Sequence, residues 1–249
     1  MTTWVFLRGL TRDSRHWGEF PAIFGGEIAD ADIVVLDLPG NGRLNRMKSP
    51  SNVAAMAESC RSELTARGIR KPYYLLAMSL GAMVAVAWAE RHPHELGGCV
   101  LINTSLRPFS PFYHRLRPRS YAPLLRQALP GDVHARETAI LRLTSNLAKS
   151  HTQIVKTWSG WRLEHPVSRA NALRQLWAAG RYHAPTQKPA VPMLVLAGAA
   201  DALVDPICSR RLAQAWQADF AEHPCAGHDI PLDDGPWLAR RVRDWLLRA

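Results

Sequence analysis

Tyr74-Leu75-Leu76-Ala77-Met78-Ser79-Leu80-Gly81-Ala82 is the stretch on which the reading of this chain turns. An apolar run of strand length meets a small-x-Ser-x-Gly pattern, and an alanine-rich helical stretch follows to about Arg91, stopped by Pro93. A serine on a sharp strand-to-helix turn needs small flanking residues, because the backbone approaches itself closely there. Such a turn holds the hydroxyl proud of a sheet and points the next backbone N–H at a reacting carbonyl. The helix N-terminus adds partial positive charge where an oxyanion would develop. Taken alone the pattern is weak, since alanine-rich helices produce it by chance with Ser79 as a simple helix cap.

The flanking sequence supplies the sheet such a turn requires. Apolar runs at Trp4 to Leu7, Ile33 to Asp37, Gly98 to Asn103 and Pro192 to Ala197 read as buried strands, with a weaker one at Asp219 to Glu222. Helical patterns separate them. One is capped near Ser14 and carries Trp17, Phe20 and Ile23. A second starts at Ser51, places Val53, Met56, Ala57, Cys60 and Leu64 on one face, and stops at Gly68. A third follows Pro206 with Leu212, Ala215 and Trp216, and the last carries Trp237, Val242, Trp245 and Leu246. Continuous apolar strands alternating with helices predict a mostly parallel sheet of about six strands, covered on both faces. The alternation breaks between Arg107 and Lys188. Only helical patterns occur there, one with Ile140, Leu143 and Leu147 and another with Leu173, Leu176 and Trp177 between Ser168 and Gly180. The expected organisation is an α/β core over 1–106 and 189–249, interrupted by an all-helical lid over 107–188.

Two further residues give the serine chemical company. Asp201 follows the fifth strand in Gly198-Ala199-Ala200-Asp201, and His228 sits in Ala226-Gly227-His228-Asp229 before the final helix. Nine other histidines exist, but His228 alone has this loop context. In the order Ser, Asp, His the chain resembles the α/β-hydrolase superfamily, with Ala77 in place of the commoner first glycine of the nucleophile elbow. The resemblance implies the α/β-hydrolase fold, Ser79 as nucleophile, His228 as general base and Asp201 as the acid that orients it. It also implies an oxyanion hole from the backbone N–H groups of Leu10 and Leu80. Asp205 is a rival acid ranked below Asp201, and Asp229 reads as a loop-capping carboxylate. Arg8 departs from the histidine many relatives carry before Gly9 and is given a structural role, while Asp37-Leu38-Pro39-Gly40-Asn41-Gly42 reads as scaffold. A dehalogenase would place Asp at position 79. His92 and His94 flank Pro93 without an acidic arrangement, so no metal and no cofactor are expected.

With 249 residues, 47% hydrophobic and 21% charged, the composition is that of an ordinary globular chain. No apolar run approaches the eighteen or so residues of a membrane span. The N-terminal residues lack a signal-peptide pattern, and the four cysteines show no CxxC spacing, so a cytoplasmic location is expected. Charge is unevenly placed. Between Arg107 and Lys188 stand fourteen Lys and Arg against three Asp and Glu, so the chain's net +10 divides into +11 there and −1 elsewhere. Arg115, Arg117 and Arg119 cluster first; Arg136, Arg142, Lys149, Lys156, Arg162, Arg169, Arg174 and Arg181 follow. One reading is a solvated face; the other is a docking surface for an anionic partner, since arginine suits phosphate and carboxylate recognition. No nucleic-acid recognition pattern accompanies it. Arg136, Arg142, Arg174, Trp161 and Trp177 are the residues assigned to substrate or partner. Of the insertion's aromatics, Trp158, Trp161, Trp177, Phe109 and Phe112, most are expected to pack against the core. An acidic acyl carrier protein or a coenzyme A thioester suits an acyl-cleaving enzyme. In this respect the chain is similar to carboxylesterases that cleave the methyl ester of carrier-bound pimeloyl chains in biotin synthesis. The expected activity is carboxylic-ester hydrolysis. The alternatives are a thioesterase, lactonase or carbon–carbon hydrolase on the same fold, or a catalytically silent binding protein.

Overall fold

Strands β1 (Thr2–Leu7), β2 (Ala31–Leu36), β3 (Tyr73–Met78), β4 (Leu96–Ile102), β5 (Met193–Gly198) and β6 (Asp219–His223) form one sheet in the order β2-β1-β3-β4-β5-β6. Every pairing is parallel. The computed structural model describes residues 2–128, 131–148 and 151–248. The period of two in each strand divides the core. Val5, Leu7, Leu75, Ala77, Cys99, Leu101, Met193 and Val195 face one side; Trp4, Phe6, Leu76, Met78, Val100, Ile102, Leu194 and Leu196 face the other. Each of these larger side chains contributes roughly 1.5–3 kcal/mol by leaving water.

The second face is covered by α1 (Phe20–Glu27) and α10 (Ile230–Leu246), the first by α2 (Val53–Ala66), α3 (Leu80–Arg91) and α9 (Ile207–Trp216). The helix expected from Ser14 is divided. Ser14–Trp17 is a 3₁₀ turn capped by Asp13, Gly18 turns the chain at φ +53°, and α1 begins only at Phe20 with Pro21 behind it. A left-handed glycine cannot continue the turn, which is why apolar spacing alone overextends that helix. Asn52, not Ser51, caps α2 by accepting from the Ala55 N–H at 2.7 Å.

The strand order reverses between β1 and β3, the point in such a sheet where functional loops gather at the C-terminal ends of the strands. Between β4 and β5 lie α4 (Phe112–Arg115), α5 (Tyr121–Ala128), α6 (Val133–Thr144), α7 (His151–Glu164) and α8 (Arg169–Arg181). The insertion leaves and rejoins the core side by side: Arg107 bridges His183, and the Ala184 N–H donates to the Arg107 carbonyl at 2.8 Å. Helices α6 and α7 pack together around Leu141, Val155 and Trp158.

Helix α8 is oriented opposite to the expectation. Its apolar stripe faces outward, with Leu173 66%, Leu176 48% and Trp177 58% exposed, while Asn171, Gln175 and Ala178 are buried. Gln175 accepts from the Thr11 N–H at 2.9 Å and donates to Asn41 Oδ1 at 2.8 Å. Asn171 accepts from the Ser49 N–H at 3.0 Å and donates to the Met47 carbonyl at 2.9 Å. The helix therefore docks on polar loop backbone through bonded amides, a surface that an apolar stripe could not satisfy. Phe112 is likewise exposed, whereas Trp158 is buried and Phe109 packs edge-on to Trp216 at 5.4 Å.

Candidate active site

Ser79 occupies the turn between β3 and α3 with φ 55° and ψ −116°, a conformation costly for a residue with a Cβ. Its surroundings impose it. A Cβ on Gly81 would overlap the carbonyl oxygen of Leu7 and lie 2.7 Å from that of Arg8, so the end of β1 rests directly on the elbow. A Cβ on Gly9 would come 3.1 Å from the Ser79 Cβ. The Ser79 N–H donates to the Ile102 carbonyl at 2.9 Å, and its half-buried side chain makes no capping hydrogen bond to α3. A simple cap is therefore not its role. Leu80 opens α3, where first-turn N–H groups have no intrahelical acceptor, and Leu10 lies in the loop directly after β1.

The buried His228 Nδ1 lies 2.6 Å from Oδ2 of the buried Asp201. The other carboxylate oxygen, Oδ1, accepts from the N–H groups of Leu203 and Val204 at 2.7 and 3.0 Å. Both oxygens are thus committed, and the carboxylate has a single orientation. Asp205 instead accepts from the Ile207 N–H at 3.1 Å and from Arg117 Nη2 at 3.2 Å.

Sequence reasoning passes over Asn103, which follows β4 in a left-handed conformation of φ 46°. Its Oδ1 accepts from the Gly198 N–H at 2.8 Å, and its Nδ2 donates to the His228 and Gly227 carbonyls at 2.8 and 3.1 Å. Since the preceding residue, Ile102, receives the Ser79 N–H, two consecutive residues tie together the ends of β3, β4 and β5 and the histidine loop. An asparagine at a strand end, where the chain must turn left-handed, is the only local signal.

The helical insertion holds the same loops. Arg117 Nη1 donates to the Asp201 carbonyl at 2.7 Å, Ser120 Oγ to that of Ala202 at 2.8 Å, and Asn146 Nδ2 to that of Ala200 at 3.0 Å. The Asp229 N–H donates to the Thr144 carbonyl at 2.7 Å. Arg115 closes the end of α8 by donating to the Ala179 carbonyl at 2.7 Å. Arg115 and Arg117 are therefore partly buried braces on backbone carbonyls, and Arg162 pairs with the buried Glu137. Arg136 and Arg142 lie on α6, half-buried and exposed; Arg174 lies on α8 beside Trp177; Lys149 falls outside the described residues. Trp161 stands edge-on to His16 at 5.2 Å beneath Arg15.

Asp229 does not cap its loop. Its carboxylate receives Arg8 Nη1 at 3.1 Å and Nη2 at 2.5 Å in a buried ion pair, and the Arg8 charge holds it below the ordinary carboxylate range despite burial. Nearby, Arg12 pairs with Glu137 at 2.7 Å and lies over the Trp158 ring at 4.2 Å. Burial, and then the Arg12 charge, push the His16 pKa down to about 4. An unfolded histidine titrates near 6.5, so between about pH 6.5 and 4 the unfolded chain binds a proton that the folded chain does not, and stability is lost there as the pH is lowered. The melting temperature is expected to drop more steeply between pH 7 and 5 for the natural chain than for His16→Gln. Parallel curves would contradict this.

His92 has an acidic partner after all, Glu58 Oε1 at 2.9 Å, 34 residues away in the chain. Among the described residues no group of three or more His, Cys, Asp or Glu is arranged to hold a metal, and no helix is long and apolar enough to cross a membrane.

The family model described as alpha/beta hydrolase fold matches residues 5–235. The biotin biosynthesis bifunctional protein BioHC of Teredinibacter turnerae is 32% identical over 102 residues, which is 41% of this chain and 17% of that protein, so the chain spans only a small part of that relative. A solved structure of a thermophilic esterase from Thermogutta terrifontis superposes with a TM-score of 0.76 at 21% identity, covering 100% of this chain and 90% of that one. The enol-lactonase from Burkholderia xenovorans gives 0.78 at 19% identity, covering 99% and 91%. At these identities the two structures are likenesses of fold.

Proposed function

We propose that this chain, which belongs to the α/β-hydrolase fold family, hydrolyses carboxylic esters through an acyl-enzyme formed on Ser79. The observation that carries the reading is the 2.6 Å contact of His228 with Asp201, on a loop that Asn103 braces against the strand end receiving the Ser79 N–H. With Nδ1 committed to Asp201, the imidazole is left with Nε2 as the proton acceptor. Ser79 Oγ attacks the acyl carbon as its proton passes to Nε2, and the N–H groups of Leu80 and Leu10 receive the developing oxyanion. Collapse of the tetrahedral intermediate expels the alcohol, which takes the proton from His228. A water then repeats the sequence on the acyl-enzyme and returns Ser79 and the free acid. A p-nitrophenyl ester series of increasing acyl length tests this. Turnover that depends on chain length supports it; a folded protein that cleaves no member contradicts it.

The finer reading is an acyl ester borne by an acidic carrier protein, with the helical insertion as a lid that receives the carrier. The likeness to BioHC supports it, as does the excess charge of the insertion. Helix α8 contains no acidic residue and turns Leu173 and Trp177 outward among Arg169, Arg174 and Arg181, with the Arg181 guanidinium 5.1 Å above the Trp177 ring. Exposed apolar side chains bordered by arginines match an acidic amphipathic surface, and the attraction weakens with salt. Reversing Arg169, Arg174 and Arg181 to Glu is expected to raise KM about tenfold more for a carrier-linked ester than for the free ester. Equal changes for both substrates across a salt series would leave α8 without this role.

A further inference from the structure

We propose that Arg8 and Asp229 are positioning residues: their buried ion pair holds the loop bearing Leu10 in register with the loop bearing His228. The inference rests on the esterase reading above and extends it to residues outside the Ser79, His228 and Asp201 set.

The two partners are 221 residues apart, and each adjoins a functional loop. Arg8 directly follows β1 and precedes Gly9 and Leu10, and Asp229 follows His228. Two parallel N–H to oxygen contacts, 3.1 and 2.5 Å, fix the angle between the loops as well as their separation. Both side chains are 3% exposed. The Arg8 guanidinium also lies over the Trp17 ring at 4.8 Å, so the cation is held from a second side within its own loop.

The other restraints on the histidine loop come from elsewhere. Asn103 ties it to β4 and β5, the Thr144 carbonyl ties it to the insertion, and Asp233 Oδ2 accepts the Gly227 N–H at 2.7 Å from α10. Among the described residues, Arg8–Asp229 is the only hydrogen-bonded link between residues 8–12 and residues 227–229. Without it, the N–H donor on one side of the reacting carbonyl and the base on the other would be located by separate parts of the fold. Stability does not account for the pair, because a buried ion pair is often no better than apolar residues of the same volume. Geometry does, since a displacement of about 1 Å between reacting groups costs on the order of a hundredfold in rate.

The test compares the natural chain with Arg8→Met/Asp229→Leu, which replaces the pair by apolar volume, and with Arg8→Lys, which keeps the charge and loses the fork. Thermal unfolding, kcat and KM are measured on a short neutral ester. The double variant is expected to melt within a few degrees of the natural chain, to keep KM within about threefold and to lose about a hundredfold in kcat; Arg8→Lys should fall between. Folded variants with natural kcat would overturn the proposal while leaving the esterase reading intact. Variants with no cooperative transition would make the pair a folding element and overturn it as well. A natural chain that is folded and inactive on every ester would remove the esterase reading itself, and this inference with it.

Discussion

Alanine in place of Ser79 is expected to lower kcat for ester hydrolysis by about a million-fold, the loss typical when a nucleophile activated by a neighbouring base is removed. The fold should survive. Ser79 already adopts φ 55° with a Cβ in place, so alanine brings no new backbone strain, and its hydroxyl caps no helix. The elbow is shaped from outside by Gly81 against β1 and by the Ser79 N–H on Ile102, neither of which the substitution touches. Unchanged circular dichroism and melting temperature with a residual rate near background is the expected pair of readings. Natural turnover in a folded Ser79→Ala protein would place the nucleophile elsewhere.

Asp201→Asn should cost about ten-thousand-fold in kcat, because an amide in that position selects the wrong histidine tautomer. Asp201 presents one oxygen to His228 and the other to two backbone N–H groups. An asparagine that keeps its carbonyl on those N–H groups must turn its NH₂ toward Nδ1. Asp205→Asn removes only a half-exposed contact with Arg117, of a kind worth about 1 kcal/mol or less, and should leave kcat within a few-fold. Steady-state kinetics on both variants decides the matter, and a larger loss for Asp205→Asn would exchange the two roles.

What was legible in the chain was local. The elbow announces itself because five adjacent residues must satisfy one steric demand, and the strands because buried parallel strands are apolar without interruption. Gly18 shows the limit: spacing extends a helix through a glycine whose φ of +53° ends it. Asn103 and the Arg8–Asp229 pair escape because their meaning lies in partners 95 and 221 residues away. Helix α8 misleads for another reason. Amphipathic reading assumes that the apolar stripe faces the core. Here the surface beneath is loop backbone at Thr11, Ser49 and Met47, so amide side chains turn inward and Leu173, Leu176 and Trp177 are left outside. Likewise, the spacing of Arg115 and Arg117 cannot show that both aim at carbonyl oxygens instead of solvent.

The reading stands most directly on where a serine-directed phosphonate attaches. Native protein and His228→Ala are incubated with the reagent, digested, and the adduct is located by mass spectrometry. One adduct per chain, on Ser79, formed at least about a thousandfold more slowly in the variant, is the expected result for a serine activated by His228. An adduct on another serine, or Ser79 labelling at the same rate without His228, would contradict it.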